Sequence, residues 1–279
     1  MSLRIIKADE RLAEVRGPKI LLVGQPGIGK TSQLRTLDPA KTLFVDLEAG
    51  DLAVQDFPVD QIRARTWEEC RDLACFLAGP NEALPPGAAY STAHYAHVLK
   101  TYGEASQLDK YDTYFVDSIT VAGRVCMTWA SQQPGAITAK GDQDTRSMYG
   151  ILAREMIAWL TQLQHARSKA VVLVGILENQ KDDFGRPNWS LQIDGSKAGR
   201  ELPGIVDQVV AMGMVQFDGE EAAKRAFLCT PEATDFPGLT PKDRSGRLEA
   251  YEPPNLGQLI TKLTRSARPA ATHSASEAA

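Results

Sequence analysis

Residues 18–37 read PKILLVGQPGIGKTSQLRTL. Ile20 to Val23 form a short apolar run that reads as a buried strand, and Leu34 and Leu37 then recur at helical spacing. Between them, Gly24-Gln25-Pro26-Gly27-Ile28-Gly29-Lys30-Thr31 matches GxxxxGK[ST], followed by Ser32. The strand before it and the helix after it are the context that turns the pattern into a phosphate cradle. Glycines let successive backbone N–H groups converge on phosphate oxygens, and a helix N-terminus adds partial positive charge. Lys30 is placed to reach the β- and γ-phosphates, and Thr31 to offer its hydroxyl to Mg²⁺. ATP and Mg²⁺ are the expected ligands.

Working outward, a second strand is expected over Thr42–Leu47 after the Asp38-Pro39 break, and a third over Gln61–Ala64. A helix opens at Thr66 with Glu68 and Glu69 in its first turn. Residues 79–110, rich in Pro, Gly and Ala and then polar and helical, read as an insertion. The strand Asp112–Asp117 is followed by an apolar helix through Trp129 and a loop over Gln132–Thr145 whose expected property is mobility. Met148, Leu152, Met156, Leu160 and Leu163 form a core-facing helical stripe, which delivers a central strand over Ala170–Leu177. A polar loop over Asn179–Arg200 then precedes IVDQVVAMGMVQ and AFLCT, read as antiparallel strands. Alternating strands and helices of this kind give an α/β fold with a mainly parallel sheet, flanked by helices and edged by C-terminal antiparallel strands. One domain is expected over 1–264, with a disordered tail over 265–279.

Composition excludes several classes. The 279 residues are 43% hydrophobic and 24% charged, so the chain is not intrinsically disordered. It has neither an apolar run long enough for a membrane span nor a secretory h-region, so a cytoplasmic location is expected. The net charge of −4 supplies no global field for nucleic acid, so any such binding must come from a local patch. Cys70, Cys75, Cys126 and Cys229 lack zinc-site spacing and read as reduced core thiols. His94 and His97 form an HxxH with no matching carboxylate, as on a solvated helix.

Two carboxylates complete the expected site. Asp117, ending the apolar run of FVDS, is the acid that holds the magnesium shell. Ser118 stands where many P-loop ATPases carry a water-activating glutamate, so the base must come from elsewhere. Glu48, at the end of TLFVDLE, is placed at the C-terminal edge of a neighbouring strand to polarise a water in line with the γ-phosphate, supported by Asp46.

A P-loop strand and helix, a next strand ending in DxE and a later strand ending in DS resemble the RecA-like ATPase core, over roughly residues 18 to 250. Within that group the chain is most similar to compact phage and prophage RecA-like proteins, often described only as AAA-family ATPases, some of which act in single-strand annealing and recombination. GQPGIGKTS, FVDLEAG, YDTYFVDSIT, Tyr149-Gly150, LPGIVDQVV and TPKDRSG carry the similarity. The resemblance implies that Lys242 and Arg244, in a glycine-flanked loop, present cations to the nucleotide of an adjacent subunit. It also implies a γ-phosphate sensor at Gln180, and a DNA-contacting loop with Lys181, Arg186, Trp189, Lys197 and Arg200, where Trp189 would stack on a base. That loop has a net charge of only +1 from Asn179 to Arg200, so DNA binding is carried by the resemblance. Some 17 residues precede the first strand, which favours annealing, loading or remodelling over strand exchange by a long filament.

The leading reading is a Mg²⁺-dependent ATPase that self-associates into a ring or short filament and handles single-stranded DNA, with replication or recombination proteins as further partners. A small-molecule or nucleotide kinase would want an arginine-rich lid, and residues 79–110 contain no arginine. A nucleotide-gated adaptor without turnover would need neither Glu48 nor a finger.

Overall fold

A computed structural model of the protein describes residues 5–181 and 184–264. The expected tail over 265–279 lies outside the described residues. In chain order the elements are α1 (Ala8–Ala13), β1 (Lys19–Gly24), β2 (Thr42–Asp46), β3 (Asp60–Arg63), α2 (Trp67–Ala78), α3 (Thr92–Tyr102), β4 (Thr113–Asp117), α4 (Ile119–Ser131), α5 (Thr145–Gln164), β5 (Ala170–Lys181), β6 (Pro187–Leu191), α6 (Ser196–Ile205), β7 (Gln208–Val215), β8 (Lys224–Leu228), β9 (Lys242–Asp243), β10 (Tyr251–Glu252) and α7 (Leu256–Thr264).

All strands belong to one sheet, with β10-β8-β7-β1-β5-β4-β2-β3 along its main path. Neighbours from β7 through β3 run parallel, while β8 and β9 pair antiparallel with successive stretches of β7, and β6 folds back on β5. This is the expected mostly parallel sheet flanked by helices, with antiparallel strands at its C-terminal edge. Parallel strands buried on both faces must be apolar throughout, and β1 and β4 are buried at every position.

Alternate side chains feed two cores. Leu21, Val23, Leu43, Val45, Val171 and Leu173 face α2, α4, α5 and α6, where Trp67 and Trp159 meet at 5.9 Å between ring centroids. Each indole N–H has a partner, Glu155 Oε2 for Trp67 and the Cys70 carbonyl for Trp159, both at 2.9 Å, so burying the rings leaves no polar group unmatched. Ile20, Leu22, Phe44, Val172 and Val174 face the opposite side, under α7 and the segment after the P-loop.

Three local readings change. The segment after the P-loop is a six-residue 3₁₀ helix, Thr31–Thr36, because Leu37 turns extended and Asp38-Pro39 follows at once. Asn179–Arg200 is not a loop: β5 runs on to Lys181 and pairs with β6, and α6 then spans Ser196–Ile205 with Pro203 inside it. Ile205 therefore belongs to the helix, and β7, which starts at Gln208, is parallel to β1 on its inner edge because α6 provides the crossover.

The 79–110 segment contributes α3, which packs on α2 with Phe76 and Tyr102 stacked at 5.3 Å. The loop after α4 is tied down by buried Ala136, whose carbonyl accepts from Asp144 N and Gln143 Nε2, each at 2.8 Å. All four cysteines are buried free thiols. Among the described residues no helix is long and apolar enough to cross a membrane.

Candidate nucleotide site

The candidate site lies at the C-terminal ends of β1, β2 and β4: Gly24 pairs with Ile176 of β5, while Asp46 pairs with Asp117, which sits beside Val174 two residues earlier on β5. The loop leaves β1 at Gly24, and its turns are made by Gly27 and Gly29 at φ of 76° and 103°, left-handed conformations that favour glycine. A methyl placed on Gly27 would meet nothing within 4 Å, so the loop is open where a ligand would approach.

Lys30 is 8% exposed, and its Nζ donates to the carbonyls of Gly24 at 3.0 Å and Gln25 at 2.9 Å. Burial pushes its pKa down, opposed by the nearby charges of Asp117 and Glu48. The ammonium is thus held over the loop by neutral acceptors. Thr31 Oγ1 donates to Asp117 Oδ2 at 2.5 Å, which brings together the two residues expected at the metal. Asp117 is 4% exposed, and burial raises its pKa to about 6, helped by Glu48 and Asp46 and resisted by the Thr31 hydrogen bond and Lys30.

Glu48 lies just past β2, exposed to the crevice, and its Oε1 accepts a short hydrogen bond from Ser118 Oγ. Ser118 also caps α4 through Val121 N, so one hydroxyl links the β4 end to the carboxylate. Asp46 is buried and fixes this turn: its Oδ1 accepts from Glu48 N at 3.1 Å, and its Oδ2 from Gln61 Nε2 at 2.7 Å. Ala49 then turns the chain with φ of 54°.

The loop is braced from below. Gln33 Oε1, buried, accepts from Leu256 N, and Thr36 Oγ1 accepts from Gly257 N. These bonds fasten the 3₁₀ helix to the start of α7, whose Leu256, Leu259 and Leu263 pack on Leu34 and Leu37.

Lys30, Thr31, Asp117, Glu48 and Asp46 are therefore brought together, and the donor set fits a nucleotide polyphosphate with a hydrated divalent ion. An open glycine cradle, a buried ammonium, and a hydroxyl bonded to a buried carboxylate are all present, with a second carboxylate, Glu48, at the crevice.

The chain belongs to the AAA domain family. The family's model matches residues 16–244, which contain the P-loop and every carboxylate described above. Among solved structures, a KaiC-like protein from the hyperthermophilic archaeon Pyrococcus horikoshii OT3 is similar at 14% identity, covering 76% of this chain and 78% of that one, with a TM-score of 0.35. No curated protein matches the chain in sequence. Membership in a P-loop AAA family carries nucleotide binding with it, and the crevice is where this AAA chain would hold the nucleotide.

Other expected site residues lie elsewhere. Lys242 is not in a loop: β9 pairs with Gln208 and Val209 at the start of β7, the end of the sheet opposite the P-loop. Its Nζ donates to the Pro203 and Val206 carbonyls, and Arg244 pairs with Asp207 at 3.0 Å. Within one copy neither cation approaches the P-loop. Gln180 shares the P-loop's face of β5 by alternation but lies beyond the Ile176–Gly24 pair, exposed and donating to Glu178. Trp189 is half-buried edge-to-face on Phe236 at 5.2 Å, so its ring is taken up by packing rather than presented as a platform. Lys181 ends β5, Arg186 lies over the Phe184 ring at 5.2 Å, Lys197 pairs with Glu201, and Arg200 lines a cavity of about 600 Å³ beside Trp189.

The HxxH is structural at His94, whose ring nitrogens are engaged by Tyr90 N and Asp72, both at 2.8 Å. Among the described residues no group of His, Cys, Asp and Glu is arranged to hold a metal by itself, so magnesium would rely on Thr31, Asp117 and the nucleotide's own oxygens. Sequence reasoning missed three contributors: Ser118 as the partner of Glu48, Gln61 as the partner of Asp46, and Arg225, which lies beside Gly29. Ser118 and Gln61 become visible only when β2, β3 and β4 are adjacent, a fact of topology rather than spacing.

Proposed function

We propose that this AAA chain is a Mg²⁺-dependent ATPase of RecA-like type that works on single-stranded DNA, in annealing, recombination or replication of the kind found in phages. The observation that carries the hydrolytic part is the convergence of Glu48, held by Ser118, with Lys30 and the Thr31–Asp117 pair in one crevice. Lys30 binds the phosphate chain, and Thr31 with Asp117 positions the ion. Glu48, exposed to the crevice, accepts a proton from a water directed at the terminal phosphate. Magnesium, when bound, neutralises charge on the phosphate oxygens. An AAA chain built only to sense nucleotide would not need a carboxylate so placed.

The DNA part is supported by the resemblance of the motifs and by one structural feature. β5, adjacent to β1, continues past the level of the P-loop as the β5–β6 hairpin, which carries Lys181 and Arg186. A change at the nucleotide can thus reach the hairpin through a single strand. Assembly into a ring or short filament, with Arg244 of one copy near the nucleotide of the next, belongs to the same reading. A kinase is disfavoured because the arginine-free 79–110 segment packs on α2 rather than over the crevice.

The test is ATP hydrolysis by the purified chain with and without single-stranded DNA, at low and moderate salt. The proposal expects stimulation that weakens as salt rises and is absent in Glu48→Gln. Turnover indifferent to DNA would refute the DNA part and leave the hydrolytic part standing.

A further inference from the structure

Arg225 lies on β8, two strands from the P-loop strand, where sequence spacing gives no reason to look for a ligand contact. Its cross-strand partner is Met214, and the next pair on that face is Met212 with Phe227, both in the core under the P-loop side of the sheet. Alternation therefore puts Arg225 on the P-loop's face. The guanidinium reaches the loop itself: a methyl placed on Gly29 would lie 3.4 Å from Arg225 Nη1 and 3.6 Å from Cζ. Among the described residues it has no hydrogen-bond or ion-pair partner, although Arg35, Arg63, Arg167 and Arg244 all have carboxylates.

The strand order says which end of a ligand it meets. Asp46 and Asp117 end β2 and β4 and Glu48 lies just past β2, all to one side of β1, while Arg225 is on the other side, past β7. A polyphosphate along the loop has its ion and terminal phosphate on the acidic side, beside Thr31 and Asp117. Its nucleoside end must then point toward β7 and β8.

We propose that Arg225 is a nucleotide-binding residue in cis, donating to the phosphate nearest the nucleoside. Met214, 54% exposed beside it, offers apolar surface to the base or sugar. The proposal rests on the nucleotide reading above. It assigns Arg225 to affinity rather than turnover, because the contact is equally available in the diphosphate and triphosphate states.

The test is calorimetric titration of Mg·ADP and Mg·ATP into wild type, Arg225→Ala and Arg225→Lys, with ATP titrations in a Glu48→Gln background to prevent turnover. Steady-state hydrolysis is measured in the Glu48 background. Arg225→Ala is expected to weaken ADP and ATP alike, by about tenfold, the size of a modest charge-assisted hydrogen bond. Its kcat should stay within about twofold of wild type, since uniform binding is what is lost. Lysine should recover part of the affinity. Arg225 is exposed and unpartnered, so the variant should keep its fold, checked by circular dichroism. Unchanged affinity for both nucleotides would overturn the assignment, as would a loss confined to ATP with a fall in kcat, which would put the guanidinium at the terminal phosphate. Wild type that is folded and binds neither nucleotide would instead overturn the reading on which the proposal rests.

Discussion

Replacing Asp117 by Asn should make the protein more stable at neutral pH in the absence of ligand, because burial penalises the ionised carboxylate. Burial and two carboxylate neighbours raise the Asp117 pKa from 3.8 to about 6. At roughly 1.36 kcal/mol per unit, that shift corresponds to up to about 3 kcal/mol of stability missing when the group is ionised. The native state holds this proton more tightly than the unfolded chain, so native binds more protons between pH 3.8 and 6 and stability falls as pH rises through that window. The deficit is fully present above about pH 6 and absent below the unfolded value. Asparagine is neutral, keeps the volume and can still accept from Thr31 Oγ1. Denaturant unfolding in EDTA should therefore show Asp117→Asn more stable than wild type at pH 7, with the difference gone near pH 4. With Mg²⁺ and nucleotide present the order should reverse, since only the wild type gains a partner for its charge. An Asn variant less stable than wild type at pH 7 without ligand, or one whose gain is the same at pH 4, would refute this account of the site.

Lys30→Ala should abolish measurable nucleotide binding, read by titration calorimetry, because among the described residues no other side chain supplies a buried cation at the loop. Gly257→Ala should destabilise the fold by about 1–3 kcal/mol in denaturant unfolding, since its new methyl would lie 2.1 Å from the Thr36 carbonyl oxygen and would force α7 away from the P-loop helix. The same variant should weaken nucleotide binding, because Gln33 and Thr36 are anchored by that contact. Ser118→Ala should lower kcat more than it raises KM in ATPase assays, since it frees the Glu48 carboxylate without touching the phosphate cradle.

Much of this structure is legible in the chain because the signals are local. Apolar runs that end in Gly24, Asp46 and Asp117 read as parallel strands delivering chemistry to one edge, and the Thr66–Glu69 capping box marks the start of α2. The β5–β6 hairpin was hidden because its polar residues mimic a loop, while the fold sustains it by pairing Leu177 with Leu191 and burying Trp189 against Phe236. α6 was hidden by Pro203, which a helix tolerates poorly in its interior. Glu48, Asp46 and Asp117 could be nominated from strand ends, but their respective partners Ser118, Gln61 and Thr31 depend on which strands lie side by side. Arg225 carries no motif, and only the order β8-β7-β1 brings it to the loop. Lys242 and Arg244, read as a finger in trans from the resemblance alone, sit at the far end of β7, held by their own chain within one copy.

The central claim is that this AAA chain hydrolyses ATP with Glu48 as the base, and single-turnover hydrolysis by wild type and Glu48→Gln at saturating Mg·ATP tests it most directly. The account predicts wild-type turnover, and a loss of at least about a hundredfold in the variant with ATP affinity retained. Hydrolysis by Glu48→Gln at the wild-type rate would contradict it.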